Sequence, residues 1–455
     1  MPKSNSLTQY TDLYRDHSAE ICSHAPEALN ALRQNALDIL SQSRLPEKGD
    51  EGYEHTSLND MFAPDYGVNI NRVKMQADLS AALRCDVPNI STLLAVNIND
   101  MPSVAARRLP EGVIFATMSQ IAETDPDFLK KYYGSVAPLA NPEVALNTLL
   151  AQDGLVIWIK KGVNVEKPLQ LVNLLGADYP LMAVRRLLIV MERNSCANLL
   201  VCDHTGRDNV ELLNSCVTEI IVEEGATLSV CDMEEATPLT SRCGGMFVCQ
   251  KDDSRFTAVE VTLSCGNTRN DFKINLDGHH TETRLYGMAI ASSRQHIDNQ
   301  TYISHTRERG MSDQLFKYVL TDDATGAFEG LIYVAPGAVK TEAYQSNRNL
   351  LGSFGAKMHS KPQLEIYCDD VKCSHGATTG QLDPEALFYM RSRGIPEDEA
   401  RTMLMQAFMS DVISSVEIES LRQRLTHLVE RRFAGGKDCS DSCATSCHPS
   451  APQSI

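Results

Sequence analysis

From Leu155 to about Tyr367 the sequence is a run of short apolar segments broken by Gly, Asn and Asp, and that run constrains the fold more than any other feature. The segments include Leu155-Val-Ile-Trp-Ile159, Leu187-Leu-Ile-Val-Met191, Ala197-Asn-Leu-Leu-Val201, Glu219-Ile-Ile-Val222, Thr227-Leu-Ser-Val230 and Gly245-Met-Phe-Val248. They continue through Thr257 to Leu263, Phe272 to Leu276, Leu331 to Val334 and Leu364 to Tyr367. Richness in Val, Ile and Thr with turn residues at each end marks strands. Roughly 200 residues of this texture exceed an ordinary sandwich, whereas a solenoid adds turns without enlarging its cross-section. A coiled stack of strands, a β-helix, is therefore predicted. No strict sequence period is present, so the repeat is one of structure. A large sandwich or two β domains are the alternatives.

Helical signals flank this block. Residues 1–45 read as helix, with Leu29, Leu32, Ala36, Ile39 and Leu40 spaced along one face after Pro26-Glu27. Asn141-Pro142-Glu143 and Asp383-Pro384-Glu385 each combine an N-cap residue with proline at the first helical position. Ala400, Met403, Leu404, Ala407 and Phe408 form one apolar stripe, and Ile418, Leu421, Leu425 and Leu428 another. The predicted organisation is a helical and mixed region over 1–150, a β core over 151–380, a helical domain over 381–433, and a Cys-containing flexible tail over 434–455.

The formal charge is −17, which argues against nucleic acid or an anionic membrane as a default partner. No apolar run reaches the roughly 18 residues of a membrane span, and Met1-Pro-Lys-Ser-Asn5 has no apolar signal region. A cytoplasmic location is expected. Thiols stay reduced there, so the 14 cysteines are not read as seven disulfides.

Neither GxxxxGK[ST] nor GxGxxG between strand and helix occurs, so nucleotide hydrolysis by this chain is not expected. The densest group of reactive side chains is Tyr367-Cys-Asp-Asp-Val-Lys-Cys-Ser-His-Gly-Ala-Thr378. Thiolate and imidazole suit soft and borderline metals, iron included. In extended chain Cys373 and His375 share a face; Cys368, five residues earlier, would face the other way in a continuous strand. Lys372 is placed to lower the Cys373 thiol pKa. Two or three ligands are fewer than the four of a closed site, so a partner must complete it. The competing reading is a buried thiol and a hydrogen-bonded histidine. Cys439, Cys443, Cys447 and His448 form a second, weaker cluster in the tail. His279 and His280 are expected in a turn, and His296, Asp298 and His305 in or near strands as satisfied polar residues. The cysteines from Cys196 to Cys265 read mostly as β-core.

The stretch from Leu364 to Ile395 resembles the C-terminal signature of the SufB/SufD family, scaffold subunits of the SUF iron–sulfur cluster assembly machine. The resemblance rests on Asp369-Asp-Val-Lys-Cys-Ser-His-Gly-Ala-Thr378, Gly380-Gln-Leu-Asp383, Ala386-Leu-Phe-Tyr389 and Arg391-Ser-Arg-Gly-Ile395. Upstream matches include Asn347-Arg-Asn-Leu-Leu351, Gln295-His-Ile-Asp298, Gly162-Val163 and Tyr53-Glu-His-Thr56. Ser374 and Gly376, where SufB carries acidic residues, resemble the SufD form. Cys368 stands where the family commonly has alanine, and the Cys-rich tail lies outside its pattern.

The resemblance implies a central right-handed parallel β-helix between N-terminal and C-terminal helical domains. It implies a non-catalytic subunit that pairs with SufB and docks SufC, an ABC-type ATPase, through 384–433. It implies a transient iron–sulfur cluster at the SufB interface, with His375 as the implicated residue and Cys373 as its weaker neighbour, and no stably bound cofactor. A SufB-like subunit acting as a self-pair, or a homodimer in isolation, is the nearest alternative. A stand-alone β-helix enzyme acting on polysaccharide has only the solenoid texture and carboxylates such as Asp369-Asp370 behind it.

Overall fold

The structure is a computed structural model that describes residues 5–75, 91–105, 109–206 and 209–433. The tail that carries Cys439, Cys443, Cys447 and His448 lies outside the described residues.

The centre is a β-solenoid of about seven turns. Each turn contributes one strand to each of two facing ten-stranded sheets. Along the chain, strands alternate between the sheets, so each pairs in parallel with the strand two further on. Register partners are 26 residues apart at Ser241 and Asn267, and 32 apart at Leu155 and Leu187. This variation in turn length is why no strict sequence period exists. One edge of the coil turns through residues at positive φ, Gly162, Asn194, Gly225, Asp253, His280, Arg309 and Lys340. These stack: the Asn194 amide donates to the Glu224 carbonyl, Gly225 to Asp252, Asp253 to His279 and His280 to Glu308. Position 225 requires glycine, since a Cβ there would lie 2.2 Å from Asn194 Oδ1 at φ +68°.

Inward side chains of both sheets fill the solenoid, with Ile189, Ile220, Val248, Phe272, Ile303 and Phe328 from one sheet and Leu199, Val230, Phe256, Leu285 and Phe316 from the other. The outer faces are covered unequally. Helices Glu27–Ser41, Met118–Thr124 and Pro126–Tyr132 cover Val156, Trp158, Leu188 and Val190 of the first sheet. Helices Glu397–Ser414 and Glu419–Phe433 lay Met405, Met409, Val412, Leu421, Leu425 and Leu428 on Cys231, Val259, Met288 and Val319 of the second. Strands buried on both faces read as continuous apolar runs, as in Leu155–Ile159; bare strands alternate, as in Glu342–Leu351.

The helix starts at Pro142 and Pro384 are as predicted, and Gly394 ends the second helix at φ +88°. The first C-terminal stripe differs from expectation. Ala400 is buried, but the helix rests on Met405, Met409, Val412 and Ile413, while Met403 is exposed. Lys317 of the second sheet fixes that rotation: its ammonium, almost fully buried, meets the Asp411 carboxylate and donates to the Phe408 carbonyl at 2.7 Å. The N-terminal region is also more than helical. Thr92–Ile98 and Met101–Ala105 extend the second sheet and Val113–Thr117 the first, and two of these additions pair antiparallel.

Candidate functional site at the open end of the solenoid

The last turn is built from Lys357–Ile366 and Lys372–Gly380, each paired on one side only. Both strands are largely exposed. A long strand with one unpaired edge is a template for pairing with another chain. Small side chains line Gly376-Ala-Thr-Thr-Gly380 of one strand, whereas the other carries Lys357, Lys361 and Pro362.

Cys373 and His375 sit on this strand. Their register partners are Ala343 and Gln345, both buried and inward-facing, so Cys373 and His375 also point toward the solenoid axis. The shared face inferred from strand periodicity is present. His375 is exposed at the open end. Cys373 is half-buried, and burial pushes its thiol up from the ordinary cysteine value. The lowering expected from Lys372 is not found. Lys372 points to the opposite face, and its ammonium pairs with Glu342 at 2.8 Å. Cys368 also departs from expectation. The chain turns between Ile366 and Lys372, and this brings Cys368 and Cys373 together against Ile332, Val334, Ala338 and Ala343.

Apart from the tail cluster, which lies outside the described residues, the remaining sequence candidates lie in or beside turns and strands. His279 and His280 lie in the exposed turn, against Asp252 and Asp253. His305 is buried, with Nε2 2.9 Å from Ser312 Oγ, and desolvation pulls its pKa down to about 4. His296 meets Thr56 Oγ1 at 2.8 Å, and Asp298 takes bonds from Thr56 and from Arg269, the latter at 2.7 Å. Cys202, Cys231, Cys243 and Cys265 are buried, Cys196, Cys216 and Cys249 partly so, and every described cysteine is a free thiol. Among the described residues no group of three or more His, Cys, Asp and Glu is arranged to hold a metal ion. At this end the described residues bring together Cys373, His375 and, beside them, Cys368.

Two features escaped sequence reasoning. The loop Tyr53-Glu-His-Thr56 straps the outer face of the first sheet near the open end. Tyr53 lies over the Arg269 guanidinium at 4.4 Å, His55 stacks on His359 at 3.6 Å, and Glu54 pairs with Lys361 at 2.8 Å. Two resembling segments, 53–56 and 295–298, therefore meet across 240 residues. The second feature is a polar seam inside the solenoid. Arg242 faces Asp232 at 2.7 Å and Glu260 at 3.5 Å, and Arg185 faces Asp203 at 3.1 Å. Burial pushes Glu234 there up to about 7 and the Cys216 thiol up to about 12. Toward the open end the seam continues as Asn347, Asn349, Ser360 and Thr379.

The SUF system FeS cluster assembly SufBD core domain matches residues 174–408, more than half of the chain, and the SufBD protein N-terminal region matches 4–171. The chain belongs to the SufBD family, a scaffold component of iron–sulfur cluster assembly. It is 29% identical to an iron–sulfur cluster assembly SufBD family protein of Synechocystis over 88% of this chain and 90% of that one. It is 27% identical to the iron–sulfur cluster assembly protein SufD of Escherichia coli over 95% and 98%, and 25% identical to SufD of Bacillus subtilis over 90% and 94%. Among the described residues no helix is long and apolar enough to cross a membrane.

Proposed function

We propose that this chain is a SufD-type, non-catalytic scaffold subunit. It pairs with SufB through the open end of its solenoid, docks the SufC ATPase, and offers His375 to an iron–sulfur cluster that forms transiently between the two scaffolds. The observation that carries the reading is the last turn, where an unpaired strand edge and the inward pair Cys373 and His375 occupy the same place. A partner strand would satisfy the edge and supply thiolates in one step. Cys373 is the secondary ligand, since its thiol is raised and half-buried. The free cysteines fit a reducing, cytoplasmic setting.

The SufC-docking surface is assigned to the helices after Gly380. Helix Pro384–Ser392 buries none of its residues in this chain and exposes Phe388 and Tyr389. Such exposed aromatics are typical anchors of a protein interface. The absence of a Walker A loop assigns ATP to the partner.

Co-expression with SufB and SufC tests this. A stable complex of all three chains is expected. Recovery of this chain only as a self-pair would favour the SufB-like alternative, and recovery only as a monomer would reject the pairing.

A further inference from the structure

We propose that Gln345 is the positioning residue for His375. This rests on the reading of His375 as a ligand to the cargo, and it assigns the group that orients the imidazole.

In the second sheet Leu285, Gln314, Gln345 and His375 are register partners in four successive turns. Neighbours in such a column stand about 4.8 Å apart, so Gln345 is the inward side chain next below His375; Gln314, one turn deeper, is also buried with both amide atoms unbonded. Gln345 is 3% exposed, and neither its Oε1 nor its Nε2 has a hydrogen-bond partner among the described residues. A buried amide with both atoms unbonded needs an explanation. Its amide crosses the interior to the facing sheet: a Cβ added at Gly330 would lie 2.2 Å from Gln345 Nε2. His375 is therefore the next inward position above a buried amide whose acceptor is free.

The chemistry of a ligating histidine calls for that acceptor. One ring nitrogen gives its lone pair to the metal. The other carries a proton, and its hydrogen bond fixes both tautomer and ring orientation. Asn349 Oδ1 is also unbonded, but its register partner is Thr379, four residues along the strand from His375. Asn347 Oδ1 already accepts from Asn349 Nδ2 and Ser360 Oγ, both at 2.7 Å. Ala343 lies under Cys373, and on the facing sheet Pro362 is the register partner of Gly330. Neither side chain offers an acceptor. Gln345 Oε1 is left to take the imidazole N–H when His375 turns its other nitrogen to iron.

The test uses the complex with SufB and SufC and Co²⁺ alone as an iron surrogate, read by its visible ligand-field spectrum, beside the rate of cluster formation from ferrous iron and sulfide. Gln345→Leu keeps the volume and removes the acceptor, and is expected to weaken Co²⁺ binding and slow assembly by roughly ten- to a hundredfold. Gln345→Glu restores an acceptor and is expected to recover most of both. Gln314→Leu, one turn deeper, is expected to leave both unchanged. If His375→Ala abolishes tight Co²⁺ binding while Gln345→Leu does not weaken it, Gln345 has no positioning role and the reading of His375 stands. If Gln345→Glu behaves like Gln345→Leu, or Gln314→Leu matches Gln345→Leu, the role is packing and the proposal is overturned. If His375→Ala itself changes nothing, the ligand reading fails and takes this inference with it.

Discussion

Cys368 and Cys373 rest against one apolar cluster of Ile332, Val334, Ala338 and Ala343, although a continuous strand would send them to opposite faces. The turn between Ile366 and Lys372, held by the Lys340 amide donating to the Asp370 carbonyl at 2.7 Å, is what reunites them. Burial raises the Cys373 thiol, and Lys372 is occupied by Glu342, so Cys373 is a slow nucleophile in the isolated chain. Iodoacetamide at pH 7.5, followed by peptide mass spectrometry, should label Cys373 several-fold more slowly than a free thiol, roughly in proportion to its smaller thiolate fraction. Lys372→Ala should leave that rate unchanged. Labelling as fast as a free thiol would contradict the geometry.

The N-terminal region is fastened to the solenoid by a buried ion pair. Arg186 and Glu219 meet at 2.7 Å with side chains 1% exposed, and the Glu219 carboxylate also accepts from the amides of Gly134, Val136 and Ala137. Removing one partner strands the other in the core. Glu219→Ala should cost about 3–5 kcal/mol of stability, seen as a lower thermal midpoint and earlier proteolysis around Gly134. A midpoint within a degree of wild type would show the pair to be dispensable.

His305 sets part of the acid limit. Its pKa is pulled down to about 4 by burial alone, below the ordinary value of 6.5. The unfolded chain takes up this proton before the folded one does. The stability associated with the neutral ring is therefore full above about pH 6.5 and is lost as pH falls to about 4, by about 3 kcal/mol for this shift. His305→Gln should flatten that limb of a denaturation-midpoint profile between pH 6.5 and 4. An unchanged slope would place the acid sensitivity elsewhere.

Phe388 and Tyr389 separate docking from folding. Helix Pro384–Ser392 buries no side chain, so replacing both by alanine should leave the thermal midpoint within about one degree. Retention of SufC on co-purification should fall at least tenfold, as expected for two aromatic anchors at about 1–2 kcal/mol each. Full retention would move the SufC surface off this helix.

Legibility followed which face of a strand was covered. Leu155–Ile159 and Leu187 to Met191 lie in strands buried on both faces, so they read plainly as apolar runs. Met311–Leu320 and Glu342–Leu351 were not recognised as strands, because their inward positions carry Ser312, Gln314, Gln345, Asn347 and Asn349. The polar seam that hid these strands is also what places Gln345 under His375. The inward pair Cys373 and His375 was legible from strand periodicity and from the resemblance. Their openness was not, because exposure of a last turn depends on where the stack of turns ends. The strap of Tyr53 to Thr56 on Asp298 and His359 was equally hidden, since nothing local to either segment announces a contact across 240 residues.

The most direct test of the scaffold reading is the rate of cluster formation in the complex of this chain with SufB and SufC, followed by sulfide-to-iron charge-transfer absorbance after ferrous iron and sulfide are supplied. His375 is exposed in this chain, so His375→Ala should leave its fold intact, and co-purification checks that the complex still forms. The rate should fall at least tenfold, as loss of a metal ligand or its support produces. A rate equal to wild type in an intact complex would contradict the account, because it would remove the open end of this solenoid from the chemistry of the cluster.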